Sequence, residues 1–135
     1  MMTDNLKKAE EILHNEKCTC VLIKGNDKYI SYERGVKPLI LWLENKVDLK
    51  GFSAADKVVG KATAFLYVLA GIKELYADVI SREAIKVMEK AKIPVEYQTL
   101  TEYIINRAGN GPCPMESAVK DIDDEKEAYE IIKKR

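Results

Sequence analysis

The run Cys18-Thr19-Cys20-Val21-Leu22-Ile23 constrains the fold more than any other segment, because a strand this continuously apolar has to be covered on both faces. Gly25-Asn26-Asp27 supplies a turn into a second strand, Lys28 to Tyr32, so a hairpin opens the sheet. Two covering layers need many apolar residues. A chain of 135 residues that is 47% hydrophobic has enough for one such domain over 1–135, without a disulfide or a metal to staple it.

The covering helices are read from periodicity. Leu6, Ala9, Ile12 and Leu13 recur at helical spacing behind Thr3, which predicts a threonine-capped amphipathic helix ending near Glu16. Gly35 breaks the second strand, and Pro38 fits the first turn of a short buried helix over Leu39 to Leu43. Ser53 followed by Asp56 has the form of a capping box. With Val58, Ala62, Phe65, Leu66 and Leu69 as its core stripe, the pattern predicts a helix from Ser53 that Gly71 ends.

Leu75, Ala77 and Val79 alternate as a strand, and Ser81 then caps a helix that turns Ala84, Ile85, Met88 and Ala91 inward. Pro94 begins a short strand through Tyr97, and Thr99 with Glu102 predicts another capped helix through Tyr103 and Ile104, terminated by Gly109. A final helix runs from about Asp123. This succession predicts a three-layer α/β/α sandwich around a mixed sheet of four or five strands, the later ones parallel.

Charge and cysteine usage narrow the function. Twenty-two basic and 22 acidic side chains cancel, so net charge drives the chain toward neither nucleic acid nor an anionic membrane. The start, Met1 to Leu6, lacks a basic segment followed by an apolar one, and no run approaches the ~20 apolar residues that cross a bilayer. A cytoplasmic chain is expected, with a small molecule or another protein as partner and self-association left open. Cys18, Cys20 and Cys113 are too few to frame disulfides and are expected reduced. Cys-x-Cys on a strand sends both thiols to one face, which suits burial better than a metal site with His14 and Cys113; no metal and no cofactor are expected.

Three groups of residues carry chemistry. Cys113-Pro114-Met115-Glu116 fits an N-cap cysteine, a proline in the first turn and a glutamate reaching back to the open backbone donor. Cys113 is then either a nucleophile favoured by the positive helix end or a small capping residue, and Glu116 either assists it or only closes the cap. Lys57 and Lys61 share a helix face in this reading and either hold an anion with the free N–H groups or form a solvated edge. Asp56 and Ser81 are each a site residue or a helix cap, an acid/base role falling to Asp56 and ligand contact to Ser53 and Ser81. Asn106 and Arg107, followed by Ala108-Gly109-Asn110-Gly111-Pro112, read as a loop that approaches a ligand and leads to Cys113.

A hairpin, a helix, a strand and a further helix in this order resemble the cytidine deaminase-like superfamily, whose zinc enzymes open the first helix with His-Ala-Glu and the second with Pro-Cys-x-x-Cys. The resemblance sets the family's His on Ala54, its glutamate on Asp56 and its two cysteines on Glu83 and Lys86. It implies the fold and, because three His or Cys ligands are needed to activate a water on zinc, implies that this chain is not a zinc deaminase. The segments Ser53-Ala54-Ala55-Asp56-Lys57-Val58-Val59-Gly60-Lys61-Ala62 and Asn106-Arg107 through Cys113-Pro114-Met115-Glu116 are similar, more narrowly, to an uncharacterised prokaryotic family of that superfamily. The expectation is a domain binding a polar or anionic, nucleotide-like small molecule, with thiol-dependent activity at Cys113 as one form of it. The alternative is a catalytically inactive sensor or interaction module.

Overall fold

The computed structural model describes residues 2–33, 35–104 and 113–134. The elements in chain order are α1 (Asp4–Asn15), β1 (Cys20–Lys24), β2 (Asp27–Ser31), α2 (Lys37–Glu44), β3 (Ser53–Val59), α3 (Lys61–Ala70), β4 (Glu74–Ser81), α4 (Arg82–Lys90), β5 (Val95–Thr101), α5 (Pro114–Ala118) and α6 (Glu125–Lys133). The described strands form one sheet in the order β2-β1-β3-β4-β5. β1 runs antiparallel to both β2 and β3, while β3, β4 and β5 are parallel. Two βαβ crossovers place α3 and α4 on one face, and α1 covers the other.

The expected three-layer α/β/α sandwich is therefore present, and its two cores are distinct. Leu6, Ala9 and Leu13 of α1 pack on Val21, Ile23, Ala55 and Tyr76. On the other face Leu22, Ala54, Leu75 and Ala77 meet Phe65, Leu66 and Tyr67 of α3, with Met88 and Ile132 from α4 and α6. Val21, Leu22 and Ile23 are each at most 1% exposed, the two-sided burial that their apolar run requires. Cys18 joins the α1 core and Cys20 the α3 core, so the two thiols do not share a face. The strand begins only at Cys20, and strand alternation does not extend back to Cys18.

Two predicted helix starts are strand instead. Ser53-Ala54-Ala55-Asp56 lies in β3, hydrogen-bonded between β1 and β4, and the helix begins at Lys61 behind Gly60. Small Ala54 and Ala55, each 0% exposed, let helices pack on both sides, and sheet pairing overrides the capping pattern. Val58, expected in a helical core stripe, is 43% exposed. Likewise Thr99 belongs to β5, which continues to Thr101, and Glu102 pairs with Arg82 at 2.6 Å and caps no helix. Three capping expectations hold closely: Thr3 Oγ1 accepts from Leu6 N, Ser81 Oγ accepts from Ala84 N, and Gly71 closes α3 at φ +76; Gly109, expected to end a helix, lies outside the described residues.

One buried carboxylate ties the two ends of the chain's first half together. Glu74, 6% exposed at the start of β4, accepts from Ser53 Oγ at 2.5 Å and from Thr3 Oγ1, the residue that caps α1. Removing it leaves the buried Ser53 hydroxyl without its acceptor and frees Thr3 at the surface from its tie to β4. Glu74→Ala is expected to lower stability by about 2–3 kcal/mol, read as a reduced urea midpoint at unchanged slope, whereas Glu74→Gln, which keeps an acceptor, loses less.

Candidate functional site

β3 and β4 both run toward α3 and α4, so the C-terminal ends of parallel strands deliver the starts of those helices to one edge of the sheet. That edge is where open α/β sheets accept ligands. α3 opens with Gly60, Lys61 and Ala62, and its N-cap has no side chain to serve the free N–H groups. Glu116 of α5 serves them: Lys61 N donates to Oε1 at 2.6 Å and Ala62 N to Oε2 at 2.9 Å. A Cβ at position 60 would overlap that carboxylate, so the approach depends on glycine. Glu116 does not reach back to its own helix, as the local pattern predicted, and Cys113 caps α5 without a side-chain hydrogen bond.

Lys61 is drawn inward with it. The residue is 8% exposed; its ammonium donates to the Lys120 carbonyl at 2.8 Å and lies 5.7 Å from the centre of the Phe65 ring. Lys61 also lines a groove of about 460 Å³ between α3, α4 and the approach to α6, with Phe65, Lys86 and Lys90 among its walls and Asp123 and Asp124 opposite. Lys57 is not part of this group. It lies in β3 and not on the helix, close enough to Cys18 to act electrostatically on that thiol. Ser53 is removed too, since it begins β3, on the order of 20 Å from the strand end that leads into α3, and is not among the residues lining the groove.

Asp56 sits beneath α3 in a second, closed cluster. It pairs across the sheet with Cys20, and Tyr67 of α3 descends between them. Tyr67 Oη donates to Asp56 Oδ2 at 2.6 Å and stands 3.1 Å from Cys20 Sγ, while Val58 N donates to Oδ1 at 3.3 Å. Burial pushes the Asp56 carboxyl up to about 7, against the lowering effect of the Tyr67 hydrogen bond, and burial with the neighbouring Asp56 charge pushes Tyr67 and Cys20 up as well. Tyr67 is not singled out by the sequence, where it reads as packing, and Cys20 is expected there only as a buried strand thiol.

The structure thus brings Lys61, Glu116 and the Ser81-capped start of α4 to one edge, sets Asp56 below them, and places Cys113 half-buried at the start of α5, its N–H donating to the Ile104 carbonyl. Asn106 and Arg107 lie outside the described residues. Because α3 opens at Gly60-Lys61-Ala62-Thr63, the residues Ala54 and Asp56 do not occupy a helix start, and the counterparts assigned to them from the resemblance are displaced. Glu83 and Lys86 do lie in the first turns of α4. Among the described residues no group of three His, Cys, Asp or Glu side chains is placed to hold a metal ion, and no helix is long and apolar enough to cross a membrane.

Two measurements follow from these environments. A carboxyl whose folded pKa is about 7 against an ordinary value near 3.8 favours folding fully below about pH 4, and that contribution is lost as pH rises toward 7. Up to about 4 kcal/mol of pH dependence belongs to it. Asp56→Asn, which keeps an acceptor for Tyr67, is expected to flatten the fall in stability between pH 4 and 8; an unchanged slope would assign that fall elsewhere. Among the thiols, Cys18 and Cys20 are 0% and 2% exposed with thiol pKa values raised mainly by burial, so limited alkylation near neutral pH and peptide mapping should label Cys113 first.

A family model described as TM1506, a domain of unknown function (DUF1893), matches residues 8–135. The crystal structure of a DUF1893 family protein, TM1506, from Thermotoga maritima is similar at a TM-score of 0.90 and 26% identity, over 99% of this chain and 92% of that one. A dCMP deaminase from the cyanophage S-TIM5, in apo form, is similar over 71% of this chain and 99% of its own at a TM-score of 0.48 and 14% identity, too slight a likeness to bear on chemistry. No curated protein matches the chain. One family model spans nearly the whole sequence and agrees with a structure of the same fold, and the chain belongs to the DUF1893 family.

Proposed function

We propose that this chain binds a small anionic metabolite, nucleotide-like in its mixture of charge and polar groups, in the groove between α3, α4 and the approach to α6. The observation that carries the reading is Lys61. It is 8% exposed and lines the groove, yet among the described residues no carboxylate lies within ion-pair distance of its ammonium. A lysine is rarely buried without a counter-charge, and here the ammonium has only the neutral Lys120 carbonyl and the Phe65 ring. An anion entering the groove supplies that charge.

The walls define the rest of the ligand. On the α4 side Lys86 is paired with Glu83 at 3.3 Å and Lys90 adds a second positive charge, while Asp123, Asp124 and Glu125 present acceptors on the other. A ligand that fits both carries an anionic end and hydroxyl or amino donors. At about 460 Å³ the groove falls in the range of small-molecule sites. Phe65 and Val68 give it an apolar wall against which a flat group can lie.

Lys61→Met keeps the aliphatic stem and removes the charge. Calorimetric titration with a panel of mononucleotides is expected to show binding to the unaltered chain and at least about a tenfold loss in Lys61→Met, equivalent to one charge-assisted contact. Lys57→Met is the control and should bind as the parent does. No binding by the parent across the panel, or equal binding by Lys61→Met, overturns the reading.

A further inference from the structure

We propose that residues 113–120 form an autoinhibitory strap in which the Glu116 carboxylate competes internally for the place of the ligand's anionic group; this rests on the binding reading above. The strap engages the donors at the start of α3 that an incoming anion would need. Glu116 takes the N–H groups of Lys61 and Ala62, and the Lys120 carbonyl takes the Lys61 ammonium at 2.8 Å. The free amides and the buried cation are thus occupied by one short segment.

The form of the contact distinguishes a competitor from a fixed cap. Helices are ordinarily capped by Ser, Thr, Asp or Asn at the N-cap itself, as Thr3, Ser81 and Asp124 do in this chain. α3 instead has Gly60 there and borrows a carboxylate from 55 residues away. Such a cap can leave, and it leaves the helix start open when it does. The hold is also incomplete: Glu116 binds the Lys61 amide, while the Lys61 ammonium has only a neutral carbonyl. An anion that reaches both the amides and the ammonium gains a charge pairing that the strap does not provide.

The strap is lightly anchored where it must move. α5 has five residues of which none is fully buried and Met115 alone packs partly on the core, whereas Val119, just beyond it, is 0% exposed in the core. Release of Glu116 therefore requires displacement of Pro114 to Ala118 about a fixed point at Val119, with loss of the α5 contacts to α3 and α6. A binding-competent state populated only in part weakens apparent affinity by that fraction, and removing the competitor restores it.

Inorganic phosphate is the probe, titrated by calorimetry into the parent, Glu116→Ala and Glu116→Gln, with the Lys61 and Ala62 amide resonances followed by NMR. Glu116→Gln keeps a neutral acceptor for one of the two amides while removing the charge that competes with an anion. Both variants are expected to bind phosphate about tenfold more tightly than the parent, with shifts at those two amides, and Lys61→Met added to either should abolish the gain. Equal binding by parent and variants that is nonetheless lost in Lys61→Met overturns the strap and spares the binding site. Absence of phosphate binding throughout, while nucleotides still bind the parent, also overturns the strap; absence of both overturns the binding reading with it. If Glu116→Ala does not fold, Glu116→Gln decides alone, and failure of both to fold makes Glu116 a structural cap.

Discussion

Everything in this domain is arranged around strands that are closed to water on both faces. β1 and β3 lie between α1 and α3, and Ser53, Ala54, Ala55 and Asp56 at the start of β3 are all buried. Two consequences follow. Side chains there must be small enough for helices to approach from both sides, which the paired alanines satisfy, and every polar group must find its partner within the protein. Ser53 finds Glu74, and Asp56 finds Tyr67 and the Val58 amide. Among the described residues no buried side-chain nitrogen or oxygen lacks a hydrogen bond, so the closure is complete in chemical terms as well as steric ones.

That same closure explains which parts of the fold could be read from sequence. Where apolar periodicity and local capping agreed, as at Thr3 with Leu6 and Leu13 or at Ser81 with Ala84 and Met88, the elements stand where their residues predict. The failure was concentrated at Ser53-Ala54-Ala55-Asp56. Serine three residues before an acid signals a helix start only when the backbone is free to choose; here β1 and β4 supply ladder partners on either side, and alanine tolerates both states. The misplaced start carried Lys57 onto a helix it does not belong to and moved Ser53 to the wrong end of a strand. At Thr99 the same local signal lost to the same competitor, the parallel pairing with β4.

The site was legible in its parts and not in its assembly. Gly60-Lys61-Ala62 and Cys113-Pro114-Met115-Glu116 stood out as separate segments, and the structure shows them as two sides of one contact. No local rule could join them, because a capping box is a pattern within one helix, whereas this carboxylate crosses 55 residues to another. The signal that did exist was Gly60 itself: a glycine directly before a helix, in place of a capping side chain, marks either a tight backbone turn or room kept for something else. The overlap a Cβ would make with Glu116 shows that the second is the case. Tyr67 was hidden for a different reason, since a tyrosine on an apolar helix face reads as packing until a buried acid is placed opposite its hydroxyl.

The titratable groups of the domain are divided between the buried sheet layer and the groove. Asp56, Tyr67 and Cys20 form a connected chain of titratable groups, but they lie between the sheet and α3, with Asp56 7% exposed and the other two closed off. The groove, by contrast, is lined by lysines and carboxylates with apolar contacts from Phe65 and Val68, and none of the three cysteines is among its walls. Binding groups and buried acid therefore occupy separate layers, joined only through α3, whose first turn faces the groove and whose Tyr67 reaches the acid. Lys61 and Tyr67 are fixed on one ten-residue helix, so the groove wall and the buried acid are set by a single element.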